Sequence, residues 1–195
     1  AMGWDEMRKK RKARMKKLRR VPERLTISPR QQNFLAWSDA PHKSTHQRPI
    51  EVNPEKDTAI DLGNGLKHDA QRATERLANT LIIFTVDNGG CHVEYTPDRK
   101  GDYLPEKTRD GRPMRPGNVP GIMPGPEDTY QSYGYGWANA SNTPYRFFKQ
   151  YDYEGGIRTP LIAHWPQGIA ETGKLVPTVS HLIDIMPTVL DVTDT

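Results

Sequence analysis

Apolar positions are sparse along this chain, and their spacing predicts only a few regular elements. Residues 80–86 (TLIIFTV) form a continuous, β-branched apolar run without alternation. That is the pattern of a strand covered on both faces, as in a parallel sheet. Residues 160–165 (PLIAHW) predict a second short strand. Helical spacing places Trp4, Met7, Met15 and Leu18 on one face of a helix over 4–20, which Val21-Pro22 should stop. A short helix over 69–78 would turn Ala70, Ala73 and Leu77 inward. Over 184–192, Asp184 reads as an N-cap and Pro187 sits in the first turn, with Ile185, Val189 and Leu190 inward.

The intervals between these elements break any period. Residues 25–43 read as irregular, with Pro29 and Pro41. Residues 44–68 hold neither period for long, because Pro49, Pro54 and Gly63-Asn64-Gly65 interrupt it. Residues 97–146 are a long segment carrying Pro105, Pro113, Pro116, Pro120, Pro124, Pro126, Pro144 and seven glycines. Tyr133, Tyr135 and Trp137 within it argue against disorder and suit a loop that packs on a scaffold or lines a cleft.

Composition sharpens this picture of a loop-rich chain. Only 34% of 195 residues are apolar and 27% are charged, with 16 Gly and 17 Pro. The single cysteine, Cys91, excludes an internal disulfide and a cysteine-based zinc site. No run is long and apolar enough to span a membrane, and residues 1–20 lack the apolar centre of a signal peptide.

The net charge of +4 hides an asymmetry. Residues 8–20 hold ten of the 28 Lys and Arg and no acid; the other 18 bases face 24 acids, a balance of −6. The simplest reading of 8–20 is a solvated helix, with basic stems covering apolar surface. A polyanion-binding segment is the alternative. Nucleic acid is not expected as a partner, because the remainder of the chain is acidic.

Candidate chemistry begins where the apolar strand runs into Asp87-Asn88-Gly89-Gly90. The carboxyl end of a strand in an open α/β sheet is where ligands and ions bind. A carboxylate beside a carboxamide offers two hard oxygen donors, suited to calcium or magnesium rather than zinc. The same four residues also read as a plain tight turn. A second motif, KQYDYEGGIRTP over 149–160, places Lys149 five residues before Glu154-Gly155-Gly156. Arg158 there can pair with Glu154.

Together the segments TLIIFTVDNGG (80–90), FKQYDYEGGIRTPLIAHWP (148–166) and HLIDIMPTVLDV (181–192) resemble the sulfatase family, most closely its arylsulfatase branch. These are formylglycine-dependent hydrolases of sulfate esters with an alkaline-phosphatase-like fold. The resemblance implies an α/β fold: a partial sulfatase sheet with flanking helices and a long Pro/Gly-rich loop. It implies Asp87 and Asn88 as ligands of a catalytic calcium, with magnesium as the alternative. It implies Lys149 as a catalytic residue holding a sulfate oxygen. His92 and Trp137 are further substrate-binding candidates, and a sulfate-ester small molecule or a sulfated glycan is the implied partner. Asn88 stands where phosphatase and phosphodiesterase relatives carry His. A phosphate- or phosphonate-ester hydrolase of the same superfamily is the alternative enzyme. A periplasmic or secreted location is compatible with the resemblance, although the sequence fixes no compartment. Asn139-Ala140-Ser141 is a glycosylation sequon, meaningful only in a eukaryotic secretory context.

The resemblance has gaps. The family nucleophile lies in Cys/Ser-x-Pro-x-Arg, and neither Cys91 nor Ser28-Pro29-Arg30 fits that spacing. The expectation is therefore a piece of a catalytic domain: helix and loop over 1–43, a divergent or damaged segment over 44–72, and a metal- and sulfate-site half over 73–195. The family carries a long amphipathic helix where 44–72 lies. Losing one apolar helix face, at ~25 cal/mol per Å², removes several kcal/mol, comparable to a domain's whole stability. The chain alone is expected to be marginal and inactive.

Overall fold

The computed structural model describes residues 2–31, 34–98 and 104–195, with the backbone alone over 48–57. Helix α1 spans Trp4–Lys17. Its Lys, Arg and Met side chains are good helix formers, and Asp5 and Glu6 open it while Arg14, Lys16 and Lys17 close it, matching the helix dipole. It ends three residues before Arg20, in a reversed turn. Arg19 adopts a left-handed φ of 53°. The amide of Arg19 donates to the Lys16 carbonyl and that of Arg20 to the Met15 carbonyl, the bonding that usually goes with a glycine at this point.

One face of α1 seeds the core. Trp4 meets Trp37 edge-on at 4.7 Å and Trp137 at 5.7 Å, and Ala40 and Ala140 complete the cluster. Trp137 and Ala140 lie on α3, Gly134–Ser141. The approach is close because residue 136 is glycine: a Cβ there would fall 2.4 Å from the Trp4 ring. Asn139, on the same helix, is fully buried, and its Nδ2 donates to Gln31 Oε1 at 3.3 Å. Trp137 is 1% exposed and its Nε1 donates to the His46 carbonyl. Trp137, a substrate-contact candidate from the sequence, is packed here in the core cluster with Trp4, Ala40 and Ala140.

Residues 44–72 are not broken into loops. Helix α2 runs unbroken over Lys43–Ala73, about 46 Å at 1.5 Å per residue. Pro49 and Pro54 each remove one i→i−4 bond, a cost of about 3 kcal/mol apiece in a helix interior, yet the backbone stays helical. The sequence conceals this helix because its described part has no buried apolar stripe. Ile60, Leu62 and Leu66 are 53–72% exposed, and Ala70 and Ala73, expected inward, are exposed too. Only half of the expectation for 69–78 is therefore met: the helix is there and Leu77, in a 3-10 turn over Leu77–Asn79, is half-buried.

Strand β1, Ile82–Thr85, follows. Within the Pro/Gly-rich segment, β2 (Arg115–Pro116) and β3 (Thr129–Tyr130) pair in parallel, beside an Arg115–Asp128 ion pair at 2.7 Å. After α3 comes the single-turn helix α4, Glu154–Ile157, then β4, Leu161–His164. Strand β1 pairs with β4 in antiparallel register, Ile82 opposite His164 and Thr85 opposite Leu161. This corrects the parallel reading. An unalternating apolar run reports that both faces want cover, not which way its neighbour runs. That cover is absent among the described residues: Phe84, Leu161 and Ile162 are 44–59% exposed.

The last helix, α5, spans Ile185–Val192. Asp184 caps backwards rather than into α5: its carboxylate accepts from the His181 amide at 2.7 Å, and His181 Nδ1 accepts from the Ile183 amide. Pro187 sits in the first turn as expected. Of the residues expected inward, Ile185 is half-buried, but Val189 and Leu190 are exposed, because no described element lies over that face.

Candidate anion and cation site

The site is built where β1 ends. Asp87 is exposed and Asn88 half-buried, and the two glycines after them join this turn to the chain 60 residues on. The Gly89 amide donates to the Gly156 carbonyl at 2.8 Å. The Lys149 amide donates to the Gly90 carbonyl at 3.1 Å. Side chains are excluded from the junction: a Cβ on Gly89 would sit 1.8 Å from the Gly155 carbonyl oxygen. The same test on Gly155 gives 2.1 Å to the Phe147 carbonyl oxygen. The two sequence motifs are therefore one structural unit.

Asn142 was not singled out from the sequence, yet it ties the unit together. Its Oδ1 accepts from the Gly90 amide at 2.9 Å, and its Nδ2 donates to the Phe147 carbonyl at 3.1 Å. One side chain thus bridges the Asp87-Asn88 turn and the Lys149 loop. The available signal was an asparagine closing a helix, since Asn142 is the C-cap of α3.

The Lys149 loop is itself strained. Phe147 and Gln150, on either side of it, take left-handed φ values of 61° and 77°. Non-glycine residues persist there only when their surroundings over-determine them. The surroundings are aromatic: Phe147 stacks on Tyr151 at 4.5 Å, and the Arg146 guanidinium lies 4.6 Å from the Tyr153 ring. Arg158 pairs with Glu154 at 3.0 Å, which shapes the α4 turn.

His92, a substrate-contact candidate from the sequence, is buried behind the Lys149 loop. It is 5% exposed and stacks on Phe148 at 4.3 Å and against Tyr135 at 4.7 Å. Burial pushes its pKa below the ordinary histidine value, while a hydrogen bond with the Lys149 backbone acts the other way. His92 therefore backs the Lys149 loop from inside, in surroundings that disfavour its charged form.

Asp87 and Asn88 have the donor chemistry for a hard cation, but they are two donors where calcium takes six to eight. Among the described residues no cluster of three His, Cys, Asp or Glu gathers to complete such a set. A shallow cavity of about 370 Å³, lined by Arg72, Glu75, Leu77, Ala78 and Pro166, lies at the opposite end of β1. No described helix is long and apolar enough to cross a membrane.

A family model described as Sulfatase matches residues 69–195. An uncharacterized sulfatase of Schizosaccharomyces pombe is 28% identical over 197 residues, covering 98% of this chain and 34% of that protein. An arylsulfatase of Klebsiella aerogenes is 29% identical over 138 residues, covering 68% of this chain and 26% of its own length. The chain spans about a third or less of the curated relatives it matches. The matched span contains the Asp87-Asn88 turn, the Lys149 loop and the backbone junction between them, and the chain belongs to the sulfatase family.

Proposed function

We propose that this chain supplies one half of the catalytic site of a sulfate-ester hydrolase. The observation that carries the proposal is the Lys149–Gly90 hydrogen bond, which holds the lysine loop against the Asp87-Asn88 turn. Asp87 and Asn88 present a carboxylate and a carboxamide oxygen as two ligands for calcium or magnesium. Such a cation, when bound, polarises the ester and orients a nucleophile. Lys149 places an ammonium at a sulfate oxygen, where it stabilises the charge that grows as the ester S–O bond breaks. The substrate class is a sulfate ester, either a small molecule or a glycan. No Cys/Ser-x-Pro-x-Arg occurs in the chain, so this chain alone binds weakly and does not turn substrate over.

The test is titration of calcium and an aryl sulfate into the isotope-labelled chain, followed by amide chemical shifts. Weak, millimolar perturbations confined to 87–92 and 147–151, and lost in Asp87→Ala and Lys149→Ala respectively, are expected. Perturbations that map elsewhere, or that survive both substitutions, overturn the proposal. Clear turnover of a chromogenic aryl sulfate by the chain alone overturns the half-site reading.

A further inference from the structure

The basic segment has a geometry that the charge count alone did not reveal. Helix α1 is fastened to the core by one face only. Trp4 is 5% and Arg8 6% exposed, and Arg8 Nη2 donates to the Ser28 carbonyl at 2.8 Å and to its Oγ at 3.1 Å. Arg8 is therefore spent on structure. Of the other bases on the helix, Lys10, Arg14 and Lys17 form an exposed row at i, i+4, i+7, and Lys9, Lys12 and Lys16 a second row at i, i+3, i+7 in which Lys12 and Lys16 are half-buried; Arg11, seven residues from Trp4, belongs to neither row.

The two rows differ in their partners. Lys9 lies 4.0 Å from Glu6 and Lys16 3.1 Å from Glu23. Among the described residues no acid pairs with Lys10, Arg14, Lys17, Arg19 or Arg20. Like charges at this spacing repel one another and weaken a helix, a cost that no acid among the described residues offsets by pairing. At the end of the row the chain reverses through Arg19 at φ 53°, a position where glycine is the default. Two arginines are thereby set on a strained turn that continues the strip.

We propose that this strip is a binding site for a sulfated polysaccharide, separate from the Asp87–Lys149 site. A flexible, densely anionic chain fits a straight ladder of unpaired cations. The remainder of the protein, at −6, repels such a chain and confines it to α1. Single-stranded nucleic acid is disfavoured by composition. Residues 5–33 contain no aromatic side chain and Trp4 is buried, so this segment itself offers no stacking platform for bases. The choice of sulfate rests on membership of the sulfatase family and not on the roles given to Asp87 and Lys149.

Fluorescence anisotropy of a labelled heparin dodecasaccharide against the full chain tests this. Expected is saturable binding that weakens at least tenfold between 50 and 200 mM salt, as for a few screened ion contacts. Lys10→Gln/Arg14→Gln/Lys17→Gln should weaken binding at least tenfold. Lys67→Gln/Arg76→Gln/Lys174→Gln, the same charge change elsewhere, should alter it less than twofold. Glutamine keeps helix propensity, and unchanged tryptophan emission reports that α1 remains docked. Asp87→Ala/Lys149→Ala leaves this binding unchanged, so the two sites stand or fall separately. Equal loss in both triple variants overturns the proposal, as does equally tight binding of a DNA oligonucleotide of the same charge.

Discussion

The amide of Gly89 and the carbonyl of Gly156 meet at 2.8 Å, and no side chain lies between the two turns they belong to. Gly89→Ala would drive a Cβ to 1.8 Å from the Gly155 carbonyl oxygen, and backbone cannot rotate aside as a side chain can. The expected loss is about 1–3 kcal/mol, the usual cost of overpacking. Urea unfolding followed by tryptophan fluorescence measures it; an unchanged midpoint would show that the turns do not meet.

The opposite sign is expected at Gly63. It lies inside α2, where a Cβ would meet nothing within 4 Å. Gly63→Ala should therefore stabilise by about 0.5–1 kcal/mol through lower backbone entropy in the unfolded chain. Higher ellipticity at 222 nm and a higher midpoint are the readouts, and a loss of helicity contradicts the helix.

Asn142 makes one bond to each loop of the site. Asn142→Ala strips a partner from the Gly90 amide and from the Phe147 carbonyl, a cost of about 1–3 kcal/mol. Asn142→Asp keeps the acceptor and loses the donor. Hydrogen exchange at the Gly90 amide should accelerate strongly in the alanine variant and remain slow in the aspartate variant. Equal exchange in both would remove Asn142 from its bridging role.

His92 gives the fold a pH dependence of defined sign. Its pKa lies below 6.5 in the folded chain because burial disfavours the charged ring. The unfolded chain then binds more protons below pH 6.5, so stability is full above that value and declines as the pH falls toward the folded pKa. His92→Phe, which retains the stack on Phe148, should flatten this decline. Urea midpoints at pH 7.5, 6.5 and 5.5 decide it; parallel curves for the two proteins would assign the pH dependence elsewhere.

Calcium binding by this chain should be weak. Two oxygen donors form a fraction of a calcium shell, and no further cluster of ligands gathers among the described residues. Calorimetric titration should find no saturable heat below about 1 mM calcium. A sub-millimolar affinity abolished by Asp87→Ala would mean that other oxygens complete the shell.

The candidate site is more legible in the sequence than the fold around it. Asp87, Asn88 and Lys149 sit in short motifs whose chemistry is local, so residue type and spacing single them out as candidates. Asn142 was missed because its role is to join segments 50 residues apart, which no local pattern encodes. Helix α2 was missed because periodicity reports a buried face, and Ile60, Leu62 and Leu66 have none. The burial of Trp137 is not legible because a ring in a glycine-rich segment looks the same in sequence whether it packs inward or lines an opening. The direction of β4 was misread because apolar content is silent about polarity of pairing.

The buried Asn139 turns its sequon into a clock. Its side chain is fully buried and held by Gln31, so no glycosyltransferase can reach it in the folded chain. In a eukaryotic secretory host, a glycan at Asn139 would mark only molecules intercepted before folding. The occupied fraction would then measure how long nascent chains wait to fold.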